Sequence, residues 1–172
     1  MVELWDIYDG KRVKTGRLHR RGEPLSAGEY HMVVDVWVRN SDGLYLISKR
    51  AEGIPGPGLW QCTCGSATAG DTSLTAALRE ANEELGLNLD PDNGRFLFEV
   101  RRIHKEGSGS FFDIWLFQQD IDIGDIVLQE GETVDAKWVT REEIMELFNK
   151  GEFNPNIDYF ERVFAENDVK SI

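Results

Sequence analysis

Cysteine is scarce in this chain, with two among 172 residues. Cys62 and Cys64 sit two apart and are poorly placed to bridge each other. That excludes a disulfide scaffold and leads to the expectation of a reduced, cytoplasmic setting. Long apolar runs are missing, so no stretch is expected to span a membrane. The opening residues Met1-Val2-Glu3-Leu4-Trp5-Asp6 carry no signal-peptide pattern. Basic residues are outnumbered, 19 Lys and Arg against 31 Asp and Glu, for a formal charge of −12. A surface that acidic argues against nucleic-acid polymers and anionic membranes as partners. It would also repel a phosphate-bearing substrate unless cations and local basic residues offset it.

What is present suits one soluble globular unit. Hydrophobic residues make up 41% and charged residues 29% of a chain long enough for a true core. We expect a single domain over residues 1–172, with 1–30 as an extension packed on it. Within that extension only Leu4–Tyr8 has strand character. His31–Arg39 is rich in β-branched residues and reads as a strand. Asn40-Ser41-Asp42-Gly43 is a turn, and Leu44–Lys49 reads as the returning strand. Residues 53–58, Gly-Ile-Pro-Gly-Pro-Gly, cannot form regular structure. Trp60–Cys64, Arg95–Ile103, Phe111–Gln118 and Val134–Val139 read as further strands. Thr140 to Glu143 is a capping box opening a helix to about Phe148. A last helix is expected over Asn156–Glu166.

Residues 65–87 carry the clearest chemistry. A glycine loop, Gly65 to Gly70, runs into a helix expected to start near Ser73 and to end at Gly86, with Asp71, Thr72 and Ser73 as candidate caps. Leu74, Ala77, Leu78, Ala81 and Leu85 form its apolar stripe. Glu80, Glu83 and Glu84 fall within an arc of about 100° on the other side. Like charges so spaced destabilise a bare helix by roughly 0.2–0.5 kcal/mol per pair. A divalent cation would turn that cost into coordination. Mg²⁺ prefers such oxygen ligands, and a bound ion would neutralise phosphate charge and acidify an attacking water. Arg79, four residues before Glu83, is placed to pair with it. The glycine loop would let backbone carbonyls approach the ion. The competing reading is a merely solvated acidic face.

The segment resembles the Nudix box, Gly-x5-Glu-x7-Arg-Glu-apolar-x-Glu-Glu-x-Gly-apolar. Gly65, Arg79, Glu80, Glu83, Glu84, Gly86 and Leu87 match in register, while Asp71 stands where the family has Glu and Ala81 where a larger apolar residue is common. The resemblance implies an α/β/α sandwich with a mixed sheet. It implies hydrolysis of a small-molecule diphosphate, typically a nucleoside diphosphate linked to another moiety. It also implies Mg²⁺ or Mn²⁺ on Glu80, Glu83 and Glu84, with the Gly65 carbonyl as an extra ligand. A carboxylate from a distal loop often serves as base in this family; Glu132 is the candidate beside Glu80, with Glu130 second. A homodimer is left open.

Trp60-Gln-Cys-Thr-Cys64-Gly65 also resembles the region around the catalytic cysteine of isopentenyl-diphosphate isomerase, another Nudix-fold enzyme. An isomerase using Cys64, with His31 as a metal ligand, is therefore the alternative. Ser66 stands where that family has a histidine, and His19 and His104 do not supply the expected spacing. The intact Arg-Glu-x-x-Glu-Glu run favours hydrolysis, with Cys64 a small buried residue. Lys49 and Arg50 end a strand and are candidate phosphate contacts. Trp60 is a candidate stacking surface, although its position beside Pro-Gly turns also suits core packing. Trp5, Trp37, Trp115 and Trp138 read as packing residues. Asp113 is an unusual polar residue within a strand.

Overall fold

The computed structural model describes residues 2–168. Its nine strands join in one sheet built around β3 (Tyr30–Arg39). Nearly every residue of β3 is buried, because the sheet is covered on both faces. Alternate side chains feed two cores. Met32, Val34, Val36 and Val38 point to one, and Trp37 to the other.

One edge of β3 pairs in parallel with β8 (Gly109–Gln118) over its whole length, and β7 (Gly94–Ile103) lies antiparallel beyond β8. The opposite edge is shared by three antiparallel strands in turn. β1 (Leu4–Tyr8) meets it at Tyr30, β6 (Thr63–Ser66) at Val33 to Val36, and β4 (Tyr45–Arg50) at Val38 and Arg39. β4 also carries β5 (Trp60–Gln61) and β9 (Thr133–Val139). The sheet therefore forks between β6 and β4.

Helix α1 (Ser73–Leu85) covers the first core. Thr72 caps it reciprocally with Thr75, and Gly86 ends it in the left-handed conformation at φ 68°. Ala76, Ala77 and Ala81 are fully buried, and their small side chains let the helix lie close on the sheet. Leu74 and Leu78 pack at the rim of this stripe. Helices α2 (Arg141–Asn149) and α3 (Phe160–Asp168) cover the second core through Ile144, Phe160, Val163 and Phe164. The expected capping box at Thr140 and Glu143 is formed.

Three expectations need correction. Residues 1–30 hold a second strand, β2 (Lys14–Arg20), which pairs with β1 as a hairpin. It lacked an apolar signal because all but one of its residues are exposed. The expected strand Trp60–Cys64 is two strands. It breaks at buried Cys62, where the chain leaves β4 as partner and takes up β3. The final helix starts at Phe160; Pro155–Ile157 is a separate 3-10 turn capped by Asn154.

Two buried carboxyls belong to this framework. Asp113 of β8 lies on the α1 side and is bound by Arg12, which crosses from the β1–β2 turn at 2.5 Å and also pairs with Glu99. Arg12 holds φ 63°, rare for a non-glycine residue, in the turn closed by its amide on the Asp9 carbonyl at 2.9 Å. Asp35 of β3 lies on the opposite face and accepts the hydroxyl of Tyr159. Burial raises its pKa from 3.8 to about 7, against the lowering effect of Tyr159 and of the Arg102 charge.

Arg12→Ala should leave Asp113 buried without its cation and lower the urea-unfolding free energy by roughly 1–3 kcal/mol. The Asp35 carboxyl holds its proton more tightly folded than unfolded. Its contribution to stability should therefore fall as pH rises from about 4 to about 7 and level off above. Asp35→Asn should remove that contribution from the pH dependence, with a higher Tm than wild type at pH 8 and little difference at pH 4.

Candidate active site

Gly65, Asp71, Arg79, Glu80 and Glu83 of the box come together where α1 packs on β6. Gly65 pairs with Val34 and faces the carboxyl of Glu80 so closely that a Cβ there would lie 2.1 Å from Glu80 Cδ. Glycine is required by this contact, since its φ is ordinary. Arg79 ties the helix to the loop. Its Nη1 donates to Glu80 and Glu83, both at 2.9 Å, and its Nη2 to the Ser66 carbonyl at 2.9 Å and to Asp71 at 3.1 Å. Asp71, on its shorter arm, thus still reaches the arginine, and it is held in turn by the backbone and hydroxyl of Thr68.

The three glutamates differ in environment. The Glu83 side chain is 49% exposed. Glu80 is largely enclosed, and burial lifts its pKa to about 7 although Arg79 opposes this. Glu84 is 5% exposed, and its Oε2 has no hydrogen-bond partner. Burial pushes its carboxyl well above the usual range, and the charges of Glu80 and Glu132 push it further. The Cys64 amide donates to it and Arg50 offsets part of the shift.

Glu84 and Glu132 line one cavity of about 130 Å³ with Arg21, Arg50, Gln61 and Cys64. Glu132, fourteen residues past the end of β8, is brought there by the bond from the Ala51 amide to its carbonyl, 2.9 Å. Arg50 is fixed from two sides, Nε on the Pro55 carbonyl at 2.7 Å and Nη1 on Gln61 Oε1 at 2.9 Å. These oxygen donors fit a hard divalent cation: Glu84 has a buried orphan oxygen, and two enclosed carboxyls bear raised pKa values that a positive charge would relieve. Among the described residues no three such side chains already converge on one point, and Arg79 draws Glu80 and Glu83 to itself.

Other expected residues lie elsewhere. Lys49 alternates with Arg50 on β4 and places Nζ 5.6 Å from the Trp60 ring; neither Lys49 nor Trp60 lines this cavity. Trp60 belongs to the second core, with Lys137 over its ring at 4.3 Å. His31 is stacked flat against Trp5, 4.1 Å between ring centres, and hydrogen-bonds Ser110. It stands four residues from Asp35, the partner of Cys64. Cys64 is half-buried and lines the cavity. The position of Arg21, in the exposed β-hairpin segment, and of Gln61 had no sequence signal; each gains its place only through strand pairing.

The NUDIX domain model matches residues 29–161 of this chain. The chain is 40% identical over 156 residues to an uncharacterised Nudix hydrolase of Listeria monocytogenes, covering 90% of this chain and 89% of that one. It is 38% identical over 63 residues to an isopentenyl-diphosphate Delta-isomerase of Cutibacterium acnes, a match limited to 36% of this chain and 32% of the isomerase. Its fold is similar to that of a Deinococcus radiodurans protein (TM-score 0.70, 23% identity, 88% and 91% covered). It is also similar to a MutT protein of Methanosarcina mazei (TM-score 0.67, 22% identity, 84% and 99% covered). The chain belongs to the Nudix hydrolase family, and it is a metal-dependent diphosphohydrolase with the α/β sandwich of that family.

Proposed function

We propose that this protein uses Mg²⁺ or Mn²⁺ to hydrolyse a diphosphate joined to a second, non-phosphate group. The observation that carries the reading is the buried carboxyl of Glu84, its Oε2 unpartnered, facing Glu132 across a cavity that also holds two arginines. Glu80, Glu83, Glu84 and the Gly65 carbonyl would hold the ions. Bound there, a divalent cation supplies charge neutralisation for the diphosphate and acidifies water. Arg50 grips a phosphate oxygen, its fork pre-aimed by Pro55 and Gln61. Arg21, itself held by Glu3 at 2.7 Å, adds a second positive charge against the acidic surface. Glu132 takes the proton of the attacking water. It is better placed for this than Glu80, whose carboxyl Arg79 already engages. Arg79 positions carboxylates and does not meet the substrate. Two free, unbridged thiols favour a reducing compartment, the cytoplasm.

The isomerase alternative draws on one feature, the Cys64 thiol within the cavity. Burial raises that thiol well above its usual range, which lowers its reactivity, and His31 is enclosed beneath Trp5. Cys64→Ala should retain phosphate release; loss of all turnover in a folded Cys64→Ala protein would favour the isomerase.

Glu84→Gln should lower kcat by roughly 10²–10⁴-fold, measured as phosphate-bearing product from diphosphates with Mg²⁺ and Mn²⁺, with the melting temperature kept or raised. Its neutral amide keeps the shape of the carboxyl without the cost of ionising it in a buried place, so kept or raised stability with loss of turnover is the signature of a ligand and not of a packing residue. Near-wild-type turnover would remove the assignment. Glu132→Gln should lower kcat by about 10²-fold with less effect on KM, read from initial rates.

A further inference from the structure

The hairpin of β1 and β2 lies outside the stretch matched by the family model, which begins at residue 29. Its ladder to β3 is one residue pair long, Tyr8 with Tyr30. Salt bridges and one stack secure it to the domain instead. Arg12 binds Glu99 and Asp113, Arg17 binds Glu29, and Trp5 lies flat on His31. Before Tyr8, β1 runs along the glycine loop. The Leu4 carbonyl accepts the Ala69 amide at 2.7 Å, and the Asp6 carboxylate accepts the Gly70 amide at 2.9 Å. The same Asp6 oxygen takes Lys14 Nζ at 2.6 Å, so β2 pins the carboxylate as well. Burial would raise the Asp6 pKa, but Lys14 and the Gly70 amide outweigh it and hold the group below its usual range. At the other end of the hairpin, Arg21 pairs its amide and its guanidinium with Glu3, at 3.0 and 2.7 Å, beside the cavity of Glu84 and Glu132.

A surface turn can leave its amides to water. Here two successive amides of the loop are tied to a strand from outside the family domain. The residue after Gly70 is Asp71, whose own amide closes a turn on the Thr68 carbonyl at 3.0 Å. The tie therefore bears on Arg79. Its Nη2 is taken up by the loop, through the Ser66 carbonyl and Asp71, which leaves Nη1 alone on Glu80 and Glu83. A loop free to move would release Nη2 to the same carboxylates. A guanidinium that engages a carboxylate with both nitrogens binds it more firmly than one nitrogen does. It would then compete with a cation for the oxygens that the cation needs.

We propose that the N-terminal hairpin is a strap on the glycine loop, and that Asp6 is a positioning residue for the metal site. By holding Gly70 it keeps one arm of Arg79 on the loop and off the glutamates. The role rests on the reading of Glu80, Glu83 and Glu84 as metal ligands, and its test separates the two.

The probe is Mn²⁺, titrated without substrate into the full chain and followed by electron paramagnetic resonance. Asp6→Ala should raise its Kd roughly three- to tenfold, the worth of about one hydrogen bond. Asp6→Asn keeps an oxygen for Gly70 but loses the charge that Lys14 answers, and should fall between. Arg17→Ala breaks a bridge of the same hairpin that involves no loop residue, and should leave the Kd unchanged. Amide exchange by NMR should show Gly70 opening faster in Asp6→Ala. In turnover, with ADP-ribose and isopentenyl diphosphate as the diphosphates offered, Asp6→Ala should raise the half-saturating Mg²⁺ by the same factor as the Kd and keep kcat at saturating Mg²⁺. A general loss of folding would instead lower kcat and Tm together, and thermal melts check each variant. An unchanged Kd in folded Asp6→Ala and Asp6→Asn, or an equal rise in Arg17→Ala, would overturn the strap and leave the ligand assignment standing. An Asp6-dependent Kd in a protein that cleaves neither diphosphate would keep the strap and remove the hydrolase reading. A wild type that takes up no Mn²⁺ would sink both.

Discussion

The arrangement depends on one costly placement, the Glu84 carboxyl held in a nearly dry recess with one oxygen unpartnered. An isolated carboxylate in such a place gives up its charge by taking a proton, and the raised pKa expresses that. Its neighbours increase the strain, since Glu80 and Glu132 add like charge from the helix and from the distal loop. A group so placed contributes nothing to packing that an uncharged residue would not supply better. The cost becomes intelligible when a cation is part of the working protein.

The rest of the site serves to hold that placement. Gly65 lacks a side chain because the Glu80 carboxyl occupies the space. Arg79 binds Ser66, Asp71, Glu80 and Glu83 at once, so the loop and the helix cannot move independently. The alanine stripe of α1 presses the helix onto β3 and sets the depth at which its glutamates lie. Positive charge enters from outside the box, through Arg50 at the end of β4 and Arg21 after β2. That answers the repulsion an acidic chain would exert on a phosphate substrate.

The fork in the sheet supplies the room. A sheet with β4 and β6 both paired along a third full-length strand would have no opening at this point. By sharing one edge of β3, the two strands diverge, and the chain between β4 and β5 folds over the gap. The break at Cys62 is the local sign of this divergence.

Local rules made much of this legible from residue order alone. The Arg79–Glu83 pairing and the caps of α1 and α2 depend on neighbours within a few residues, and each is found in place. The sequence also located Glu132 and Arg50, though not their meeting, which spans some eighty residues and needs the β4–β9 pairing. Lys49 and Arg50 were indistinguishable as strand-end cations until the pleat sent them to opposite sides. The exposed strand β2, the 3-10 turn before α3, and the Asp35–Tyr159 pair could not be read, because the pattern that betrays them is tertiary. Spacing along a helix determines which carboxylates stand together; only the folded sheet decides which of them loses its water and what faces it.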